Sequence, residues 1–152
     1  MLSSNAASVT DVDASSAYLE TAREEARSLG WAGKTRFIHG DFVSLAPTVE
    51  PADIVTLDRV ICCYDDMESL VSASAARARG VYGLVFPRSS WIARLGVRLF
   101  NFIRNLRGDP FRVFVHPTES VDAIVRSRGL SRVYRGARGL WQVLVYERAP
   151  AA

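Results

Sequence analysis

ADIVTLDRVICCYDD, residues Ala52 to Asp66, is the stretch whose reading decides the fold. It follows Pro51 and runs through Ile54, Val55, Thr56 and Leu57 to a charged pair, Asp58-Arg59. A second apolar run, Val60 to Cys63, comes next. A short, continuous, β-branched-rich segment of this kind reads as a strand, Ala52–Cys63, buried on both faces as in a parallel sheet. Asp58 and Arg59 then stand at the carboxyl end of its first apolar run. In open α/β sheets that edge is where ligands bind. The plainer reading of Asp58 is a loop carboxylate or a helix cap.

Working outward, the chain alternates strands and helices. Ala6–Asp13 is rich in β-branched residues and ends in acid, so it predicts a strand. Asp13 to Ser16 supplies N-cap residues. Ala17–Leu29 follows as a helix with Tyr18, Ala22, Ala26 and Leu29 at helical spacing and Gly30 as its stop. Thr35–Phe42 (TRFIHGDF) is the next strand, and 43–51 is a short connection with two prolines. Beyond Asp66, Met67–Arg79 predicts a helix with Leu70, Val71, Ala75 and Ala78 inward and Gly80 at its end. Val81–Pro87 is another buried strand. Trp91–Leu106 carries the sharpest amphipathic stripe, Trp91, Ile92, Leu95, Leu99, Phe102, Ile103 and Leu106, opposed by Arg94, Arg98, Asn101 and Asn105. It reads as a cover over a site, a core-facing helix or an interfacial helix. Phe111–Val115 is extended, and Pro117–Gly129 a helix capped by Thr118. Leu130–Arg135 and Leu140–Glu147 pair antiparallel around Gly136–Gly139. Such alternation predicts an α/β fold: a Rossmann-like, mostly parallel sheet with an antiparallel C-terminal strand and helices on both faces.

Composition narrows the function classes. The 152 residues, 49% hydrophobic, suffice for one domain with a core. No run of 18 uncharged apolar residues occurs, so no transmembrane span is expected. The start, MLSSNAASV, has neither a basic n-region nor an apolar h-region and is not read as a signal peptide. The adjacent Cys62 and Cys63 on a strand would point to opposite faces, as small core residues of a reducing, cytoplasmic compartment. With His39 and His116 far apart and no CxxC, no metal site is expected. Residues 1–70 hold 5 basic and 12 acidic side chains, and residues 71–152 hold 14 and 4, within a net charge of +3. Eighteen of the 19 cations are arginine, so the basic half reads as a solvated Arg-rich face rather than a nucleic-acid surface.

The order of these motifs resembles the class I S-adenosylmethionine-dependent methyltransferases over nearly the whole chain. VTDVDAS is similar to that family's second strand, whose terminal acid binds the ribose hydroxyls. This implies cofactor contacts at Asp13 and Ala14. HGDF resembles the third-strand signature, implying Asp41 beside the adenine amino group and Phe42 against the ring. ADIVTLDRVICCYDD looks like the fourth strand and the loop bordering the methionine end, which places Asp58 and Arg59 there. RGVYGLVFPR fits the fifth strand, and the terminal hairpin fits the reversed last strand. Small-molecule enzymes of the magnesium-protoporphyrin type are the relatives it most suggests. The resemblance implies S-adenosylmethionine as cofactor and methyl transfer to a small-molecule acceptor. Tyr64, Asp65, His39 and His116 are the residues considered for a proton-accepting role, with Tyr64 and His116 carried forward as catalytic candidates. In this fold the variable insertion, here 88–117, lines the substrate pocket, so Trp91, Phe100 and Phe111, with Phe114, are expected to bind an apolar or aromatic substrate. Peripheral membrane contact stays open, and no nucleic-acid partner is expected.

One family hallmark is missing. No acid-x-Gly-x-Gly turn precedes Asp13, so residues 1–152 read as a single methyltransferase-like domain incomplete at its N-terminus. Such a chain is expected to be marginally stable and to bind cofactor poorly alone. Two other readings stand beside it. One is a degenerate methyltransferase-fold module that binds a partner or membrane surface through Trp91, Arg94, Arg98 and Phe102. The other is an NAD(P)-dependent Rossmann oxidoreductase.

Overall fold

Two parallel strands and the helix that links them open the first of two units, which divide between Thr48 and Val49 in this computed structural model. The structure describes residues 6–109 and 111–149; the opening residues 1–5, part of the segment read above as no signal peptide, lie outside them. Strand β1 (Val9–Asp13) pairs in register with β2 (Thr35–His39), Asp13 opposite His39. Between them runs α1 (Ser16–Ser28), started by the Ser15 hydroxyl, which accepts from the Tyr18 amide. Gly30, at φ 71, releases the chain after its last turn, a backbone angle that suits glycine. The buried face of α1 is Leu19 and Ala26, not the expected Tyr18 and Leu29. Ala26 is buried as expected, while Leu19 takes the inward place beside it and Tyr18 turns out, 74% exposed.

The second unit is a four-stranded sheet in the order β3-β4-β6-β5, formed by Ala52–Asp58, Ala78–Pro87, Trp141–Arg148 and Leu130–Arg138. β3 and β4 are parallel, and β6 runs against both β4 and β5, so it is the one reversed strand. α3 (Met67–Ala76) and α5 (Thr118–Ser127) pack on each other, α3 also against β4 and α5 against β5. Their core centres on Leu70, Val71, Tyr82, Leu84, Phe86, Val121, Val125, Leu144 and Tyr146. Burying each large apolar side chain contributes about 1.5–3 kcal/mol before chain entropy is charged. The fold is thus α/β and Rossmann-like, mostly parallel with one antiparallel strand.

Several expectations are corrected in this unit. The strand from Ala52 stops at Asp58, because Arg59 adopts φ 59, and Ile61–Cys63 forms a 3-10 turn instead of continuing it. Cys62 and Cys63 therefore do not straddle a sheet: Cys62 is buried, Cys63 is exposed, and their sulfurs lie 3.7 Å apart. β3 is not buried on both faces either; only Leu57 is buried, and Ile54 is 56% exposed. Among the described residues it has β4 on one side alone, which makes it an edge strand. α3 ends at Ala76, and Gly80 lies inside β4, where an added Cβ would come 3.1 Å from the Asp53 carbonyl. Pro117, not Thr118, is the N-cap of α5, with no side-chain cap. The hairpin tightens to Gly139-Leu140, and Gly136 stays in β5 beneath the Tyr134 ring.

α4 (Trp91–Leu106) spans the predicted residues, but the core-facing reading fails. Six of its seven stripe residues, Trp91, Leu95, Leu99, Phe102, Ile103 and Leu106, are turned to solvent, with Trp91 73% exposed and Leu106 72%; the Ile92 side chain is not among those described.

Candidate functional site

In the first unit the candidate residues converge at the carboxyl ends of β1 and β2. Asp13 closes β1, and its Oδ1 accepts from the Ser15 amide at 2.6 Å. Among the described residues no other donor reaches that carboxylate. The Gly40 amide donates to the Asp13 carbonyl at 3.0 Å, and His39 Nε2 lies 3.1 Å from the Ala14 carbonyl. Two strand ends are thereby stitched together. Gly40 adopts φ 147, and a Cβ there would meet Leu45 Cδ1 at 2.8 Å, so glycine is needed for both angle and space. The turn delivers Asp41 as N-cap of the four-residue helix α2 (Phe42–Leu45). Asp41 Oδ2 accepts from the Ser44 amide at 3.0 Å and the Ser44 hydroxyl at 2.8 Å. Phe42 follows, half-buried. Asp11 lies two residues before Asp13, on the same strand face. Burial, and then repulsion from Asp13, raises its carboxyl above the usual range. Its sequence signal was plain, an acid at every second position, yet it was not singled out.

In the second unit the candidates gather at the carboxyl end of β3. Arg59 folds back on Asp58, Nε to Oδ1 3.4 Å, with both side chains about two-thirds exposed. Its guanidinium also lies 5.2 Å above the Trp141 ring, and its amide donates to the Val85 carbonyl at 2.8 Å. Trp141 was missed in the sequence; its place beside Arg59 follows from the reversed strand β6, which sets Trp141 opposite Pro87. Cys62 donates to the Arg59 carbonyl at 3.2 Å, and burial pushes its thiol up to about 12.

The segment 111–116 lies along the Ile61–Cys63 turn. The Phe114 amide donates to the Cys62 carbonyl at 2.7 Å. His116 Nε2 sits 3.1 Å from the Tyr64 carbonyl, and its ring stacks on Phe114 at 5.9 Å. A carbonyl only accepts, so Nε2 carries the proton and Nδ1 is left as the basic nitrogen. Asn101 of α4 clamps the same segment, accepting from the Val113 amide at 3.0 Å and donating to its carbonyl at 2.7 Å. Phe100 and Phe111 do not face open space alone. Arg104 stacks on both, 5.4 and 4.8 Å from their centroids, and is paired with Asp109. Trp91 stands apart, exposed at the start of α4. No group of three or more His, Cys, Asp or Glu among the described residues is placed to hold a metal ion.

Acids at the carboxyl ends of parallel strands, in an α/β fold with one reversed strand, define the class I S-adenosylmethionine-dependent methyltransferase architecture. The chain belongs to the methyltransferase family: the model for a methyltransferase domain matches residues 1–78. Among solved structures, magnesium protoporphyrin IX methyltransferase from Synechocystis PCC 6803, with bound SAH, matches with a TM-score of 0.72 and 21% identity, covering 93% of this chain and 64% of that one. The same enzyme with bound SAM gives 0.68 and 19%, over 93% and 60%. An O-methyltransferase family protein from Burkholderia thailandensis gives 0.73 and 16%, over 97% and 52%. At such identities the likeness is one of fold, and the chain spans only about half to two-thirds of these proteins. No protein of curated function matches the sequence.

Proposed function

We propose that this chain contributes the adenosine-binding strands and the acceptor-side elements of an S-adenosylmethionine-dependent methyltransferase acting on a small molecule. The observation that carries this reading is the joined carboxyl ends of β1 and β2, with Asp13 and the Asp41-Phe42 pair, inside the residues the family model matches. Asp13 fits a ribose: one oxygen is spent on Ser15, and no donor among the described residues takes the other, which can accept from a diol. Asp41 is held by Ser44 at the start of α2, where it can accept from an exocyclic amine while Phe42 packs on a purine. Ala14 lies between these acids, and its carbonyl is taken by His39. Asp58 and Arg59 stand at the end of β3, the edge assigned to the methionine half.

The cofactor, when bound, supplies an electrophilic methyl group on a cationic sulfonium. The chain's part is to hold and orient its nucleoside and to position the acceptor. His116 is the favoured proton acceptor, since its tautomer is fixed by Tyr64 and its ring by Phe114. Tyr64 adjoins it. Trp91, Phe100 and Phe111, within the 88–117 insertion, favour an apolar or aromatic acceptor. Two unpaired cysteines fit a reducing, cytoplasmic setting.

Calorimetric titration with S-adenosylmethionine tests this. Asp13→Asn keeps an acceptor for Ser15 but loses the charge, and Asp13→Ala loses both. Charge-assisted bonds contribute about 1.5–3 kcal/mol each, so binding should weaken roughly tenfold or more in either variant. Affinity indifferent to both, or preference for a nicotinamide dinucleotide, would overturn the assignment.

A further inference from the structure

α4 is tied to the chain through its polar side. Asn101, Asn105 and Arg104 make the contacts that hold it to the segment after it, through Val113, Arg112 and Asp109. Successive residues turn by about 100°, so Trp91, Leu95, Leu99, Phe102, Ile103 and Leu106 share the opposite arc. All six are exposed, between 42% and 73%. A surface helix ordinarily does the reverse, with its apolar arc toward the core. An outward arc of this size needs a covering phase.

Charge identifies that phase. From Arg88 to Gly108 the chain carries Arg88, Arg94, Arg98, Arg104 and Arg107 and no acid. Arg94 and Arg98 are exposed and border the apolar arc on the helix surface. Trp91, at the end of the arc, is a residue type suited to a headgroup boundary. The helix is 16 residues long, and no helix among the described residues is long and apolar enough to cross a membrane. We infer that α4 lies in the plane of an anionic lipid surface, its apolar arc in the acyl boundary and Arg94 and Arg98 on the headgroups. This inference shares Trp91 with the proposed acceptor side, but its test reads vesicle binding and not methyl transfer.

The test is sedimentation of the full chain with phosphatidylcholine vesicles, either neutral or with one phosphatidylglycerol in four lipids. Binding is expected to the anionic vesicles, with little to the neutral ones, and to fall as salt rises. Each basic residue near such a surface strengthens binding roughly fivefold, so Arg94→Gln with Arg98→Gln should weaken it roughly 25-fold. Leu99→Ser with Phe102→Ser should abolish it. Neither pair touches the contacts of Asn101, Arg104 and Asn105, and an unchanged limited-proteolysis pattern after α4, with an unchanged urea midpoint, verifies that each variant folds with α4 in place. Failure of the wild-type chain to bind anionic vesicles overturns the inference. So does binding that survives the Leu99/Phe102 pair. A concentration-dependent dimer that the same pair dissolves, without vesicle binding, also overturns it and makes the face a protein contact.

Discussion

The buried pair of Ser74 and Tyr82 should show an unequal cost on the two sides of one hydrogen bond. Both residues are fully buried, and their oxygens are 2.6 Å apart. The Ser74 hydroxyl also lies 2.7 Å from the Leu70 carbonyl and 3.3 Å from that of Val71. A carbonyl cannot donate, so the single Ser74 hydrogen goes to Leu70, and Tyr82 donates to Ser74. Tyr82→Phe removes a donor and leaves Ser74 satisfied by Leu70; it should cost about 1 kcal/mol, one net hydrogen bond. Ser74→Ala strands the Tyr82 hydroxyl in the core, costing about 1–3 kcal/mol, toward the upper end because Tyr82 is fully buried. The double variant should cost little more than Tyr82→Phe alone, which gives a coupling on the order of 2 kcal/mol. Urea unfolding reads this directly. A Trp31→Phe background restricts fluorescence to Trp91 and Trp141, both in the second unit. At a slope of roughly 1–2 kcal/mol per molar urea, the two single variants should separate by several tenths of a molar in midpoint. A Ser74→Ala cost below that of Tyr82→Phe, or strictly additive costs, refutes the assigned donor.

Arg148 reaches the carbonyls of Ala78, Arg128 and Ala75 at 3.1, 2.8 and 3.4 Å, tying β4 to the ends of α3 and α5. Arg148→Met should cost about 2 kcal/mol in urea unfolding, and Arg148→Lys should recover little, since an ammonium cannot span three acceptors. Tyr82 and Tyr146 have phenols raised above the ordinary 10.0, chiefly by burial. The unfolded chain then sheds their protons first, so stability is complete below pH 10.0 and lost as pH rises beyond it. Circular dichroism on alkaline titration should show this, with a shallower fall in Tyr146→Phe. Asp11 titrates high, so its charge opposes folding at neutral pH and protonation relieves it. Asp11→Asn should raise the urea midpoint at pH 7, and the gain should close as pH falls through the carboxylate range. Asn101→Ala should open 107–117 to limited proteolysis while leaving the midpoint of the sheet unchanged.

The fold was legible where side-chain period and backbone demand agree. α4 was located to the residue because its stripe is long and unambiguous, and Gly30 and Gly139 fall at positive φ where the turns were expected. The errors arise where tertiary pairing decides. Val60–Cys63 is as apolar as a strand, but a left-handed Arg59 ends the pairing and curls the run into a 3-10 turn. No propensity flags an arginine for that backbone angle. Gly80 looks like a helix stop until Asp53 comes alongside it in the neighbouring strand. Thr118 reads as a cap, yet its hydroxyl is spent accepting from Gln142 Nε2 at 2.8 Å across 24 residues.

The candidate site divides in the same way. Asp13, Asp41 and Asp58 were legible because a parallel strand ends abruptly and an acid at its end is a local pattern; the structure puts each at or just past such an end. The contacts around these residues are only partly local. Ser15, two residues on, takes one oxygen of Asp13, whereas Trp141 underlies Arg59 only because β6 is reversed. His116 shows the limit most clearly. As a histidine before a proline it reads as a turn residue. Its chemistry comes from the Tyr64 carbonyl, 52 residues away, which fixes the proton on Nε2 and leaves Nδ1 basic. His116→Gln therefore separates the two roles: a residue that only orders the turn should tolerate the amide, which can still donate to Tyr64. A proton acceptor should lose turnover at every pH while cofactor affinity and urea midpoint stay put.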